Sequence, residues 1–481
     1  MEGKEITAFL SSILFAIYPM HVESVSWVAG RTDVLCALFL FFAFIFHILS
    51  SRNLWLLVLA SLGFSIALLS KEVAVAFPFL VLVFDLLTRR GANRVNILRY
   101  GVYILILLVY FYLRGRAFVN IPDAAGLVLN DGGGLAPVGG EHVSAVSRCL
   151  EIVYILMGSY LFYLTKLIFP FGFNAFITNV PKQAPYLISA MIVLSALTLL
   201  VIISARKKEN VTAFGILWVL ISLGPSALVA VFSIASTPLA ERYLYIPSSG
   251  FCFLIGYWVI EAGSRVRLKG IVWGASILLI ATYAFATCER QGVWRDNLSL
   301  WRDTSLKSPD HPLPHTNYGL ALSNNGKRDE AVKEFAIALS PELNDTARGK
   351  AVTANNLALV YLDEEENPRA EMWLRKALEY DPGYGKTYYH LGLIYFIKGS
   401  LTNSAESYKE SERYLRMALE HYYSYGRANL LLAKIYMRRG ETDKAKKEAG
   451  TAVKSGLPKE LLKEANDILE IDNAGGDKEP H

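Results

Sequence analysis

The 481-residue sequence predicts an all-α protein in two parts, a polytopic helical membrane domain followed by a helical-repeat solenoid. Three observations carry this. Hydrophobic residues make up 53% of the chain and mean hydropathy is +0.32, with the excess concentrated before about residue 290. That half holds a series of apolar windows close to the roughly 20 residues a helix needs to cross a bilayer. From about residue 312 the apolar pattern instead repeats with a period near 34 residues.

The windows fall at about 5–20, 33–51, 54–70, 72–88, 96–113, 147–168, 184–204, 211–232, 243–260 and 270–288, predicting about 9–10 spans within residues 1–290. The first window follows Lys4 in the manner of a signal peptide. It lacks a small-x-small cleavage site and leads straight into further spans, which predicts a retained helix. Basic residues orient the set. Arg89, Arg90 and Arg94, then Arg206, Lys207 and Lys208, then Arg265, Arg267 and Lys269 mark cytoplasmic loops. Counting crossings from them places four charged clusters, and the chain after residue 288, on the outer side. Between Arg94 and Arg206 the number of crossings must be even, yet three windows occur. The sequence therefore predicts that 143–168, with Arg148, Glu151 and Lys166, is an interfacial helix or a re-entrant hairpin. Residues 114–147, with Asp131-Gly132-Gly133-Gly134, are expected to form an external loop that orders over a substrate.

The net charge of +5 rests partly on short loops between apolar segments, which argues against a nucleic-acid face. Cys36, Cys149, Cys252 and Cys288 are far apart and form no C-x-x-C pair, so they are expected as inert core or lipid-facing residues.

Residues 291–311 are expected to be a linker, 312–457 about four repeats, and 458–481 a capping helix and disordered tail. The first unit carries Gly319, Ala331, Phe335 and Ala338. The second carries Ala358, Tyr361, Ala370, Leu374 and Ala377. The third opens with Gly392 and Tyr395, and the fourth carries Ala433, Tyr436, Ala445, Ala449 and Ala452. Small residues where paired helices touch, with large ones beside them, are the tetratricopeptide spacing. The third unit departs from it, and its second helix, about 402–420, is expected to be extended. Tyr384, Tyr388, Tyr389, Tyr395, Tyr422, Tyr423 and Tyr425 fit a peptide-binding face, but interhelical packing explains them more simply.

The four clusters are His21-x-Glu23 with Arg31-x-Asp33, then Lys71-Glu72, then Arg114, then Glu241-Arg242-Tyr243. Ionisable groups at membrane depth are costly and mark sites. Arg31, Lys71, Arg114 and Arg242 are four cations suited to a phosphate, with Arg offering bidentate donors and Lys a point charge. Glu23, Asp33, Glu72 and Glu241 would hold these cations or contact sugar hydroxyls. The bland alternative is that each cluster anchors a helix end. Two-apart His21 and Glu23 are weak metal spacing, so no metal site is assigned, although a divalent cation stays compatible.

The segment AIYPMHVESVSWVAGRTDVLCALF (16–39) resembles the HP-x-H-x-E-x-V-A-W-V-x-x-R-x-D-x-L motif of multispanning proteins with C-terminal tetratricopeptide repeats. These include the animal transmembrane and tetratricopeptide-repeat-containing O-mannosyltransferases and bacterial proteins of the same layout. LLSKEVAVAFPFLVLVFD (68–85), YFYLRG (110–115), TPLAERYLYIPSSGF (237–251) and WRDNLSLW (294–301) fit as well, in the same order. The resemblance implies a GT-C glycosyltransferase fold. Such enzymes move a sugar from a polyprenyl-phosphate carrier to an acceptor outside the cytoplasm, a protein Ser or Thr hydroxyl in the animal members. It further implies that His21, Glu23, Arg31, Asp33, Lys71, Glu72, Arg114, Glu241, Arg242 and Tyr243 line the donor site. Tyr18 replaces the family's usual His before Pro19. In the family a first span and a long acidic loop precede this segment and carry the expected base, so the catalytic acids are expected upstream of Met1.

The sequence thus predicts a membrane glycosyltransferase, or the larger part of one. Its partners would be the bilayer, a polyprenyl-phosphate sugar and a protein or peptide bound by the repeats. Its place would be a bacterial inner membrane with the repeats in the periplasm, or an endoplasmic reticulum with the repeats in the lumen. The rivals are a non-catalytic membrane-anchored repeat scaffold and a transporter or flippase for a lipid-linked sugar. No pair of broken helices related by an internal repeat favours the latter.

Overall fold

In the computed structural model the described residues are 2–88, 94–119, 145–178, 180–181, 183–232, 237–265, 269–421 and 426–471. Among them the regular elements are helices, with an isolated antiparallel bridge between Ile177 and Leu239. The chain divides into two units, Met1–Ser308 and Pro309–His481. The glycine-rich stretch around Asp131, together with Arg89, Arg90, Arg267, Tyr422, Tyr423, Tyr425 and the tail after residue 471, lies outside the described residues.

The first unit runs α1 (Glu2–Ala16), α2 (His21–Ser26), α3 (Arg31–Leu49), α4 (Leu56–Ser70), α5 (Phe77–Leu87), α6 (Arg94–Val119), α7 (Ala145–Ile168), α8 (Ala184–Arg206), α9 (Asn210–Phe232), α10 (Tyr245–Arg265), α11 (Lys269–Val293) and α12 (Asn297–Lys307). Seven helices among the described residues are long and apolar enough to cross a membrane, as a multi-pass protein requires. Exposed Leu105, Leu108, Ile192, Ile277, Leu278 and Phe285 give these helices an apolar outside. The three other apolar windows form α1 and α4, of 15 residues each, and α5, of 11. At about 1.5 Å per residue these span roughly 17–23 Å. Lys71 is the cause between α4 and α5: its extended backbone (φ −160, ψ 140) stops one helix, and a 3-10 turn over Glu72–Ala76 delays the next.

Three elements differ in form or extent from the expected ones. Of the two alternatives for 143–168, the hairpin is not formed: α7 is one continuous helix, and Ser147–Ile168 is long and apolar enough to count among the seven candidate spans. Arg148 and Glu151 occupy its first turns and Lys166 its last, so its charges avoid the middle of the span. The external loop expected from residue 114 begins later, since α6 carries Arg114 through to Val119. Residues 297–307, read as linker, form α12 within the first unit, and Asp296 closes a capping box with Ser299 at its start.

Helices approach closely where side chains vanish. A Cβ on Gly63 of α4 would stand 2.8 Å from Phe42 Cδ1 and 3.1 Å from the Phe39 carbonyl of α3. That pairing fixes the N-terminal end of α3 beside the end of α4, which is where the charged residues sit.

The second unit stacks helix pairs: α13 (Pro312–Asn324) with α14 (Arg328–Ala338), α15 (Ala347–Asp363) with α16 (Asn367–Tyr380), α17 (Gly385–Thr402) with α18 (Ala405–His421), and α19 (Gly426–Arg438) with α20 (Thr442–Lys454), then α21 (Lys459–Glu470). The extra length of the third pair is shared. α17 runs on to Thr402 before Asn403 turns left-handed (φ 50), so the insertion does not lie wholly in the second helix. Tyr384, Tyr388 and Tyr389 are buried and Tyr395 is partly so, which makes these four packing residues.

Candidate functional site

The short segment between α1 and α3 is seated from below. Tyr18 is fully buried and its hydroxyl donates to the Leu167 carbonyl at 2.7 Å, while Thr287 donates to the Ile17 carbonyl at 2.6 Å. α2 therefore projects from a fixed base and carries Glu23 to the 3-10 turn at Glu241–Leu244.

There the charges interlock. Glu23 is buried, and its carboxylate accepts from the Arg242 guanidinium at 2.6 Å and from the Arg242 backbone N–H at 3.2 Å. Asp33, also buried, accepts from the Lys71 ammonium. The Tyr243 ring joins the two pairs, with the Arg242 guanidinium 5.1 Å and the Lys71 nitrogen 5.3 Å from its centroid. Trp27 stacks on Arg242 at 5.2 Å. The acids lie 3% and 5% exposed, while Lys71 and Arg242 retain 15% and 17%. Buried acids thus hold two cations that are themselves partly exposed, and cations fixed in this way suit an anion.

The other expected residues are distributed around this centre. Arg114 pairs with Glu72 at 3.5 Å and donates to the Tyr110 hydroxyl at 2.6 Å in a more exposed position. Glu72 follows Lys71 directly, so this pair flanks the centre. Arg31 is exposed at the start of α3, two residues before Asp33. His21 turns away from the charges. Its Nε2 lies 2.7 Å from the Ser248 hydroxyl, among the rings of Phe15, Tyr18 and Tyr245. Burial pushes its pKa down to about 3, so it is neutral and adds no charge. His21 and Glu23, the two-apart pair, have different partners, and no group of three His, Cys, Asp or Glu converges as a metal site among the described residues.

Glu241 also faces elsewhere. It accepts the Asn174 backbone N–H at 2.8 Å and meets Arg290 at 3.4 Å and Lys166 at 4.0 Å. Arg290 is 2% exposed, reaches Asp303 of α12 at 3.2 Å, and lies over the rings of Phe173 and Trp294. Glu241 is therefore the hub of a buried ion network beneath Arg242.

The chain is similar to protein O-mannosyl-transferases. Protein O-mannosyl-transferase F38B6.6 of Caenorhabditis elegans is 27% identical over 344 residues, covering 69% of this chain and 46% of that protein. Protein O-mannosyl-transferase TMTC4 of Homo sapiens is 24% identical over 374 residues, covering 68% and 48%. Protein O-mannosyl-transferase Tmtc2 of Drosophila melanogaster is 38% identical over 109 residues, covering 22% and 11%. The chain spans about half the length of the first two relatives. Residues 355–414 match the family described as Tetratricopeptide repeat.

The expected donor-site residues do not include Trp27, Lys166, Asn174, Arg290 or Asp303. Arg290 carries a signal of its own, an arginine at the end of an apolar stretch. Asn174 acts through its backbone N–H, which no residue identity reveals.

Proposed function

We propose that the first unit is the donor-binding part of a membrane glycosyltransferase that takes a sugar from a polyprenyl-phosphate carrier and delivers it to a protein hydroxyl. The names of the relatives make mannose the sugar to test first. One observation carries the reading: Lys71 and Arg242, pinned by buried Asp33 and Glu23, share the Tyr243 ring and stay partly exposed. A carrier phosphate would sit on these two cations, with Arg31 and the Glu72–Arg114 pair around it.

In the transfer, an acceptor Ser or Thr oxygen attacks C1 of the sugar and the bond from C1 to the carrier phosphate oxygen breaks. The bonding electrons leave with the phosphate, whose charge becomes more negative. Fixed cations stabilise that developing charge better than they stabilise the bound donor, which is the requirement for catalysis. The acceptor proton goes to a base not assigned to any residue named above. The charged helix ends would face the extracytoplasmic side, and the tetratricopeptide repeats would bind the acceptor protein or a partner.

The test uses the full chain in nanodiscs and binding of polyprenyl phosphate. Removing Arg242 alone strands buried Glu23 and risks unfolding. The double variant Glu23→Gln/Arg242→Gln removes both charges together. It is expected to weaken binding by at least about tenfold, and Asp33→Asn/Lys71→Met is expected to do the same. Unchanged binding in both would leave the membrane-anchored scaffold as the better reading.

A further inference from the structure

Trp27 ends α2 in an extended conformation (φ −81, ψ 123), and its place is fixed by backbone bonds on both sides. Its N–H donates to the Glu23 carbonyl at 3.1 Å, and its own carbonyl accepts from Gly30 at 2.9 Å. The loop closes so tightly that a Cβ on Gly30 would stand 3.0 Å from the Glu23 carbonyl and 3.1 Å from Ser24 Cα. The indole is thus held by the same short segment that holds Glu23. The Arg242 guanidinium lies over it at 5.2 Å, and yet Trp27 remains 43% exposed. A large aromatic residue is fixed and open beside the better-anchored of the two cations.

The donor's chemistry makes that position informative. In a polyprenyl-phosphate sugar the pyranose is bonded directly to the phosphate, so a group touching the phosphate-binding guanidinium is within reach of the ring. A pyranose presents a face of C–H groups with slight positive charge. An indole presents an electron-rich face that attracts such edges. The guanidinium on one side of the indole also orients it, as cation–π stacking does.

We infer that Trp27 is the platform on which the donor sugar stacks, beside the Arg242 phosphate site. This rests on the donor-binding reading proposed above. Trp27 is therefore a positioning residue for the sugar and not for the carrier. It discriminates sugar-bearing carrier from bare carrier, and it holds C1 in place for attack.

The experiment compares two probes in nanodiscs with the full chain: polyprenyl phosphate, and the same polyprenyl phosphate bearing mannose. The wild type is expected to bind the mannosylated carrier more tightly. Trp27→Leu is expected to lose about tenfold in affinity for the mannosylated carrier and to keep its affinity for the bare one, while Trp27→Phe retains most of the difference. Equal wild-type affinity for the two probes overturns the inference. So does an equal loss for both probes in Trp27→Leu, which would make Trp27 a support for Arg242. An unchanged Trp27→Leu overturns it as well, leaving Trp27, with exposed Val25 and Val28, as a bilayer-interface anchor. A wild type that binds neither probe instead removes the donor-binding reading itself.

Discussion

Ion pairs abound in both units, but they do different work in each. In the first unit Glu23–Arg242, Asp33–Lys71 and Glu241–Arg290 are enclosed, and each buried acid is held by a cation. In the repeats Lys327–Glu330, Arg369–Glu366 and Arg413–Glu410 lie along exposed helix faces one turn apart. An exposed pair gains little because water competes for both partners. A buried pair does not guarantee net stability either, but breaking it leaves one charge with neither water nor partner. The first kind can be exchanged almost freely, while the second fixes geometry.

Arg290 gives the largest expected effect. Arg290→Met keeps an unbranched apolar stem and removes the charge, leaving buried Glu241 with the more distant Lys166 at 4.0 Å and loosening Asp303. The expected cost is about 3–5 kcal/mol, read as a large drop in the thermal midpoint of the protein in detergent. Arg290→Met/Glu241→Gln should recover much of that loss, because no buried charge then remains alone. A single variant as stable as the wild type would remove the distinction between the two regions.

Two histidines of the repeats tie stability to pH, and they do so in opposite senses. His390 donates from Nδ1 to the Asn355 side-chain oxygen at 2.9 Å. Burial, reinforced by Lys386 and Arg427, pushes its pKa down to about 4. The unfolded imidazole titrates near 6.5. Between those values the unfolded chain binds a proton that the folded one rejects, so stability falls as pH falls from about 6.5 to 4, by about 1–3 kcal/mol. His315 behaves in the opposite sense. Its hydrogen bond to Glu334 raises its pKa, so the stability it adds is complete below about 6.5 and is lost at higher pH. The urea midpoint of the repeats, read by pulse proteolysis of the full chain, should drop toward pH 4. His390→Gln should flatten that acid limb.

Packing within the repeats was easier to foresee than the site. Gly319 was assigned from spacing alone to a helix contact, and a Cβ there would stand 2.8 Å from Phe335 Cε1. Gly319→Val should therefore cost about 1–3 kcal/mol by overpacking, measured by the same midpoint. Such contacts are local in sequence and recur, so periodicity exposes them. The windows of the membrane unit were legible for the same reason. The pairing of Glu23 with Arg242 joins residues more than two hundred positions apart, and composition shows the charges without showing who meets whom. His21 and Glu241 have the residue types of a ligand site, but one turns into an aromatic nest and the other into an ion hub. What decides their roles is the direction of the side chain, which charge patterning does not encode. The hairpin alternative for 143–168 rests on the parity of crossings between Arg94 and Arg206, and parity says nothing about whether a segment is one continuous helix.

The smallest effect tests the exposed side of the comparison. Where α16 meets α17, the Tyr395 hydroxyl donates to Glu371 at 2.9 Å and accepts from Arg375 at 3.2 Å. The arrangement recurs one repeat later, where Tyr436 donates to Glu412 and accepts from Arg416 at 2.9 Å. Each latch ties the second helix of one repeat to the first helix of the next. The charged members are partly exposed, so the Coulomb contribution is screened and the hydroxyl's hydrogen bonds are what remains. Tyr395→Phe and Tyr436→Phe keep the ring and remove that bridge, each for about 0.5–1 kcal/mol. The two latches share no residue, so their effects should add in the double variant. A double loss well above the sum would show that the two latches are coupled through the repeats, and the contrast between the two regions would then be one of degree.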